Sequence, residues 1–240
     1  MVGNGLCKFR KNIMKIFVHI FAILILVTCS NEQVTSIEQT IEKDKKYDWR
    51  LVTSWPKNYP GLGMAPERIA DLVEEMSDGQ MKITVYGAEE QVPAFGVFDA
   101  VSSGSHHMGH SGGYFWKGKV PAAQFFTSVP FGLTADEINA WVNRGGGLEL
   151  WREIYAPFNI HPIPAGNTGT QMFGWFNKEI NSLEDIKGLK MRIPGIGGEV
   201  LKEAGGIPVT LPGGELFTAL QTGVIDAPEW VGPYNDLTFG

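Results

Sequence analysis

The stretch LKMRIPGIGGEVLKEAGG, residues 189–206, holds the pattern that decides the fold. An apolar run ends at a proline, a glycine-rich turn follows, and a short helical pattern bracketed by glycines comes next. The same elements recur earlier, where the helical pattern APERIADLVEEMSDG precedes the strand pattern MKITVYG. That helix places four apolar residues on one face: Ile69, Leu72, Val73 and Met76. Strand and helix alternate in this way along the chain, which predicts an α/β fold with a largely parallel sheet.

The composition limits the number of domains and the kinds of partner that the chain can have. With 240 residues, 43% of them hydrophobic, the chain can bury the core of one or two domains. Its formal charge of -6 understates the acidity of the main body, because Lys8, Arg10, Lys11 and Lys15 all precede the first acidic residue, Glu32. Phosphate neutralisation needs clusters of lysine and arginine, so an acidic body argues against nucleic acid as a partner.

Residues 1–28 have the pattern of a signal peptide, with Met14 as an alternative start. The apolar run IFVHIFAILILV follows basic residues and is shorter than the roughly 20 residues that a transmembrane helix needs. The sequence LVTC, which ends at Cys29, resembles the lipobox of bacterial lipoproteins. We therefore expect lipidation of Cys29 and attachment to a membrane, with ordinary cleavage nearby or an uncleaved anchor as alternatives. Residues 29–46 are polar and are predicted to form a solvated tether.

Arg192 is the basic residue most suggestive of a binding site. It stands at the end of a predicted strand, before a glycine-rich turn that opens a helix whose backbone amides favour an anion. The forked guanidinium suits a carboxylate held by two parallel hydrogen bonds. A surface salt bridge is the alternative that position alone leaves open.

A second candidate is the stretch GVIDAPEWVGP, residues 223–233. Proline fixes its own φ and favours an extended conformation in the residue before it, so Pro228 and Pro233 stiffen the segment around Glu229 and Trp230. Such a segment either holds a ligand in a fixed direction or is a tight exit from a strand.

Other polar groups give weaker signals. The histidines of SHHMGH, residues 105–110, lack the spacing of a zinc motif and are expected to be ordinary loop or hydrogen-bonded residues. Glu89 and Glu90 fit a solvated charge pair better than an acid/base dyad. No nucleotide-binding glycine motif and no GxSxG nucleophile elbow occurs in the sequence.

Several long segments, taken together, resemble the extracytoplasmic solute receptors of TRAP (tripartite ATP-independent periplasmic) transporters, in the branch that binds 2-oxo acids such as pyruvate. The resemblance covers residues 49–240 and is carried by WRLVTSWPKNYPGLG, VPAFGVFDAVSSG, MGHSGGYFWKGK, FFTSVPFGLTADEINAW, GNTGTQMFGWFNKEI and MRIPGIGGEVLKEAGGIPVTLPGGELFTALQTGVIDAPEWVGPYND.

The resemblance implies a two-domain α/β periplasmic solute-binding protein fold with hinge-crossing strands, in which the domains close around a small carboxylate. Domain I is then residues 47–168, continued by residues 228–240, and domain II is residues 169–227. Relative to the family, we expect the C-terminal part to be missing here, including the long helix through which some members form homodimers.

The resemblance also implies roles for individual residues. Arg192 grips the ligand carboxylate. A sodium or calcium ion bridges ligand and protein, held by Gln171, Glu229 and the backbone carbonyl of Trp230, and Gln171 also contacts the ligand. Oxygen-only ligation suits a hard cation of this kind. Asn167 and Tyr114 are expected as hydrogen-bond partners of the ligand. Trp175 and Phe176 are expected either to wall the pocket or to belong to the core.

The function implied is that of a periplasmic receptor that is not an enzyme. It captures a 2-oxo acid and delivers it to the TRAP membrane subunits. A receptor of the same fold for a 2-hydroxy acid, a dicarboxylate or another organic anion is the nearer alternative. A secreted hydrolase or lyase acting on small acids is the remote one.

Overall fold

The computed structural model describes residues 45–239. Its strands are Tyr47–Thr53 (β1), Met81–Tyr86 (β2), Met108–His110 (β3), Lys190–Arg192 (β4), Ile207–Val209 (β5) and Ala227–Pro228 (β6). Its α-helices are Met64–Met76 (α1), Val97–Ser102 (α2), Ala135–Arg144 (α3), Gly147–Tyr155 (α4), Gly195–Glu203 (α5), Leu216–Gln221 (α6) and Pro233–Asp236 (α7). Short 3-10 helices cover Ala94–Gly96, Gly113–Trp116, Pro121–Phe126, Ala156–Phe158, Leu183–Ile186, Gly213–Glu215 and Leu237–Phe239.

The first sheet has the strand order β2-β1-β3. β1 and β3 run parallel, with Leu51 opposite Met108 and Thr53 opposite His110. Helix α1 packs on β2, and the core between them contains Leu51, Ala70, Ile83 and Val85. Because β1 is the central strand, its carboxyl end is flanked by the end of β3.

The second sheet has the order β5-β4-β6, and both pairings are parallel. The central strand β4 ends at Arg192, which lies opposite Val209 on one side and Pro228 on the other. Helix α5 follows β4 and packs against β5. Parallel strands joined through a helix are the arrangement that the alternating sequence pattern predicted, so the α/β fold class is confirmed.

A third apolar cluster joins residues that are far apart in sequence. It contains Trp55, Tyr59, Leu216, Ala219, Ile225, Trp230 and Val231, all buried. The hydroxyl of Tyr59 donates to the carbonyl of Asn235 at 2.9 Å, across 176 positions of sequence. Trp230 is therefore packed in a core at the same point where the chain leaves β6.

Two helix ends are defined by individual residues. Helix α3 begins with a capping box, in which Thr134 Oγ1 accepts from the Glu137 N–H and the Glu137 carboxylate accepts from the Thr134 N–H. Helix α1 ends at Met76, whose side chain is 76% exposed although it shares a helix face with Ile69, Leu72 and Val73. The glycine-rich stretch HPIPAGNTGTQMFGWFN, residues 161–177, forms neither strand nor helix in the structure.

Several predictions from the sequence stay predictions. The signal peptide of residues 1–28, Cys29 and most of the tether lie outside the described residues. Within the described part of the chain, no helix has the length and apolar character needed to cross a membrane. From Asp48 onward the chain forms one compact unit, so the boundary expected between residues 168 and 169 stays a prediction.

Candidate functional site

Arg192 is the most buried charged group of the second sheet, with 2% of its surface exposed. It completes the central strand, and its guanidinium is held from two directions. Nε donates to the carbonyl of Leu211 at 3.2 Å, and Nη1 donates to the backbone carbonyl of Glu229 at 2.8 Å. The guanidinium carbon lies 4.6 Å from the centre of the Trp230 ring, a cation–π distance. The surface salt bridge that sequence position left open is thereby excluded.

Glu229 pairs with Arg192 through its side chain as well. Its Oε2 accepts from Arg192 Nη1 at 3.1 Å, and its backbone N–H donates to the Arg192 carbonyl at 2.8 Å. Burial raises the pKa of the Glu229 carboxyl to about 7, Arg192 opposes that rise, and Asp236 adds to it. Burial also lowers the pKa of Arg192, an effect that Glu229 offsets. The two side chains form a buried, hydrogen-bonded salt bridge at the carboxyl ends of β4 and β6, in which the Glu229 carboxyl is close to its pKa at neutral pH.

Tyr114 borders this pair from the 3-10 helix Gly113–Trp116. Burial raises the pKa of its phenol to about 12, Arg192 lowers it and Glu229 raises it, so the hydroxyl stays protonated at neutral pH. The side chain lies over the first turn of α5, where a Cβ on Gly195 would stand 2.9 Å from Tyr114 Cβ. Gly195 also has a φ of +64°, so a residue without a side chain is needed there on both counts.

The segment that carries Gln171 lies along the segment that carries Glu229. Met172 N–H donates to the Val231 carbonyl at 3.1 Å, and Trp175 N–H donates to the Pro228 carbonyl at 3.0 Å, so the two segments run in opposite directions. Gly174 permits this approach, because a Cβ there would stand 2.8 Å from the Pro228 carbonyl oxygen. The structure thus brings the neighbourhoods of Gln171, Glu229 and Trp230 together.

The remaining predicted residues take different positions. Gln171 donates from Nε2 to Thr168 Oγ1 at 3.1 Å, which leaves its amide oxygen for another partner. Asn167 is exposed, and its Oδ1 accepts from Gly169 N–H at 2.7 Å in a local turn. Trp175 is 42% exposed and donates from Nε1 to Asp236. Among the described residues, Asn167 has no hydrogen bond to Arg192 or Glu229.

Sequence reasoning missed three contributors to the site. Asp236 accepts hydrogen bonds from two backbone amides just after Trp230 and from the indole of Trp175. The carbonyl of Leu211 holds Arg192. Gln124 has a buried Oε1 without a hydrogen-bond partner in the described structure, 4.0 Å from a Cβ built on Gly195. The spacing of residues in the sequence marks none of these, because each is brought to the site by tertiary packing.

The residues predicted to hold a cation fit that role chemically. A buried carboxylate with a raised pKa, an amide oxygen and a backbone carbonyl are all hard oxygen donors. No group of three or more His, Cys, Asp or Glu residues suited to a metal occurs in the described residues. His107 instead accepts from Arg50 N–H and stacks on Trp49, while the ring of His110 lies against Trp55.

Comparison with known proteins extends this description. Residues 51–238 match the family model described as bacterial extracellular solute-binding protein, family 7. A monocarboxylate 2-oxoacid-binding periplasmic protein of Nostoc sp. (strain PCC 7120) is 48% identical over 215 residues, which are 90% of this chain and 58% of that protein. The resemblance that the sequence segments indicated is therefore confirmed.

Two solved structures of TRAP periplasmic solute binding proteins are similar in sequence and in fold. One, from Pseudoalteromonas atlantica T6c, has sodium and pyruvate bound; it is 53% identical with a TM-score of 0.80. The other, from Colwellia psychrerythraea, has calcium and pyruvate bound; it is 52% identical with a TM-score of 0.79. Each likeness covers 82% of this chain and 60% of the other chain, so this chain spans about three fifths of the length of such relatives.

Proposed function

The chain belongs to bacterial extracellular solute-binding protein family 7, and on that premise we propose that it is the solute receptor of a TRAP transporter for a small 2-oxo monocarboxylate such as pyruvate. The observation that carries the proposal is the buried pair of Arg192 and Glu229 at the carboxyl ends of parallel strands. Open parallel sheets bind ligands at that end of their strands. A receptor of this kind binds and releases its ligand without chemical change.

Arg192 is the group that we assign to the ligand carboxylate. Its Nε and Nη1 are held by backbone carbonyls and by Glu229, and Nη2 has no hydrogen-bond partner in the described structure. The guanidinium is therefore fixed before the ligand arrives, which lowers the entropy lost on binding. A charge-assisted hydrogen bond from Nη2 would anchor one carboxylate oxygen.

Glu229 would repel an anionic ligand unless its charge is compensated. We assign sodium or calcium to the oxygens of Gln171, Glu229 and the Trp230 carbonyl, where a cation supplies the positive charge that lets two carboxylates lie close together. With Glu229 engaged in this way, more of the Arg192 charge is available to the ligand. The relatives with bound sodium or calcium and pyruvate support this assignment.

The neighbouring side chains have neutral roles in the proposal. Tyr114 stays protonated at neutral pH because its pKa is raised, so it can donate a hydrogen bond to a keto or carboxylate oxygen. Trp175 and Asn167 contact the ligand from the exposed side of the site, Trp175 with its ring and Asn167 with its amide. These contacts distinguish ligands by shape more than by charge.

The proposal extends to localisation, domain closure and assembly. Residues 1–28 direct export to the periplasm, and Cys29 carries a lipid that anchors the receptor beside the TRAP membrane subunits. Residues 47–168 with 228–240 form one domain and residues 169–227 the other, and closure of the two encloses the ligand. A homodimer forms if a C-terminal helix like that of some family members is present.

Thermal unfolding of the purified chain tests the ligand assignment. Pyruvate, a longer 2-oxo acid, lactate and succinate are each added with sodium, with calcium and with neither. A ligand that binds only the folded protein stabilises it by about 2.7 kcal/mol at a hundred times its Kd. We expect a rise in Tm with 2-oxo acids that requires the cation. A rise in Tm with succinate or lactate but not with 2-oxo acids would assign another organic anion as the ligand. Turnover of any of these acids would indicate a hydrolase or lyase.

A further inference from the structure

Asp236 is tied to both segments that form the candidate site. Its Oδ1 accepts from the backbone N–H of Val231 at 3.1 Å and of Gly232 at 3.0 Å. Its Oδ2 accepts from Trp175 Nε1 at 2.6 Å. One carboxylate at the end of α7 therefore links the segment after β6 to the segment that contains Gln171.

These bonds close a ring of contacts. Trp175 is bound to Asp236, Asp236 to Val231, and the carbonyl of Val231 accepts from the N–H of Met172. Met172 and Trp175 are on the same segment, so the ring returns to its start. A ring of this kind fixes the register of the two segments more firmly than the two backbone hydrogen bonds between them would do without Asp236.

The bond from Val231 has a direct geometric effect on the neighbouring carbonyl. A trans peptide is planar, so the carbonyl of Trp230 and the N–H of Val231 lie in one plane and point in opposite directions. When Asp236 accepts from the Val231 N–H, the Trp230 carbonyl oxygen must point away from Asp236. The direction of that oxygen is thereby set by a carboxylate six residues later in the chain.

We propose that Asp236 is a positioning residue for the cation site, which holds the Trp230 carbonyl in its ligating direction and keeps the Gln171 segment beside it. This inference rests on the proposed function, because it assigns a purpose to the orientation of a proposed cation ligand. Asp236 makes no contact with cation or ligand in the proposal, and it acts through Val231 and Trp175.

Two substitutions separate the parts of this role. Asp236→Ala removes all three hydrogen bonds, whereas Trp175→Phe removes only the indole donor and keeps an aromatic ring. We expect Asp236→Ala to weaken sodium or calcium binding about tenfold or more, measured by titration of the cation at a fixed concentration of pyruvate. Pyruvate affinity at saturating cation should change less than about threefold. Trp175→Phe should weaken cation binding by a smaller factor, because it removes only the indole donor to Asp236. The Trp175 ring is also a proposed ligand contact, so pyruvate affinity at saturating cation is compared for Asp236→Ala alone.

The chain offers matched controls for both variants. Asp185 is an exposed carboxylate that accepts from the backbone N–H groups of Asn181 and Ser182, at 3.1 and 2.9 Å, and its side chain has no hydrogen bond to Gln171, Glu229 or Trp230 in the described structure. Trp116 donates from its indole to Tyr155 at 2.6 Å in another core cluster. Asp185→Ala and Trp116→Phe should change Tm without changing the cation affinity.

The cation titrations distinguish three results. Loss of cation affinity in Asp236→Ala but not in Asp185→Ala supports the inference. Equal cation affinity in Asp236→Ala and the unsubstituted chain overturns it, and leaves Asp236 as a turn cap only. If the unsubstituted chain itself binds pyruvate without any cation, the proposed cation site fails and this inference fails with it.

A readout that needs neither cation nor pyruvate tests the ring of contacts itself. The indole N–H of Trp175 should exchange with solvent faster in Asp236→Ala than in the unsubstituted chain, as seen by nuclear magnetic resonance. If Asp236→Ala does not fold, Asp236→Asn serves in its place, since its amide can satisfy the backbone donors or the indole but not both. Unchanged indole exchange in a folded variant contradicts the proposed tie.

Discussion

The two sheets end in different chemistry at the carboxyl ends of their central strands. In the first sheet, β1 leads into Ser54, whose hydroxyl donates to the Ala94 carbonyl at 2.6 Å and lies 2.5 Å from the hydroxyl of Ser111. In the second sheet, β4 ends at Arg192, which faces Glu229 at 3.1 Å. Both ends are buried, but only the second places charged groups there.

In the proposed function, the groups that bind the ion and the ligand carboxylate belong to the second sheet. Hydroxyls that satisfy one another in the first sheet contribute to stability and leave little for a ligand. A buried ion pair is a poor source of net stability, because removing two charges from water costs about as much as their attraction returns. The position of the Arg192–Glu229 pair at the end of β4 is therefore better explained by a role in binding than by a contribution to stability.

Arg192→Ala should have the largest effect, because it leaves the Glu229 carboxyl buried without its partner. We expect the free energy of unfolding in urea to fall by about 3–5 kcal/mol and pyruvate binding to be lost. Arg192→Lys keeps the charge without the fork, so it should recover more of the stability than of the affinity. An alanine variant with normal affinity would contradict the assignment of Arg192 to the ligand.

Leu51→Ala tests whether the first sheet contributes to stability without contributing to ligand affinity. The side chain is 3% exposed in the core under β1, so its truncation should reduce the free energy of unfolding by about 2–5 kcal/mol. The dissociation constant for pyruvate, measured by calorimetry well below the lowered Tm, should stay the same. A parallel loss of affinity would show that the first sheet contributes to ligand binding more directly than its neutral groups indicate.

Glu229→Gln should separate cation binding from folding within the second sheet. The amide keeps an acceptor for Arg192 but loses the negative charge, so cation affinity should fall about tenfold, equivalent to about 1.4 kcal/mol. Asp226→Asn is the matched control, since Asp226 accepts from Lys190 N–H at 2.9 Å at the opposite end of β4. Cation titrations that are the same for both variants would remove Glu229 from the ligand set.

His110 should give the smallest effect at neutral pH. Burial lowers the pKa of its imidazole to about 4, against an ordinary value of 6.5. Between those values the unfolded chain binds a proton that the folded chain does not, so stability is full above about pH 6.5 and decreases as the pH falls toward 4. His110→Asn should flatten this part of the stability profile, measured by urea unfolding across the pH range.

The control for this prediction is His106, which lies just before β3. Burial also lowers the pKa of His106, which therefore contributes to the same decrease in stability at acid pH and should keep part of it in the His110 variant. A profile with an unchanged slope after substitution would show that His110 titrates normally in the folded protein.

Much of the fold could be read from the sequence because local patterns determined it. The proline after the strand and the glycines around the helix marked β4 and α5, and they put Arg192 at the end of a strand. The pairing of Arg192 with Glu229 could not be read in this way, since 37 residues separate them and only the register of parallel strands brings them together. Resemblance to a family, rather than spacing, named the other ligands of the proposed site.

Two features of the structure could not be read from the sequence, for physical reasons. Met76 fits the helical period, but periodicity does not show where a helix extends beyond the core on which it packs. Helix α1 ends at Met76. Asp236 has no pattern around it that marks a positioning role, because its partners come from residues 175, 231 and 232 in three-dimensional contact. Side chains that act through tertiary hydrogen bonds are the part of a site that sequence pattern describes least.

The link between Tyr59 and Asn235 has a consequence for the order of assembly. The Tyr59 hydroxyl binds the Asn235 carbonyl, Asn235 Nδ2 donates to the Pro60 carbonyl at 2.5 Å, and Tyr59 and Trp55 pack with Trp230. Contacts between residues this distant in sequence carry a high loop-closure entropy and slow folding. During synthesis, the aromatic core around Trp230 cannot close until almost the whole described chain has left the ribosome.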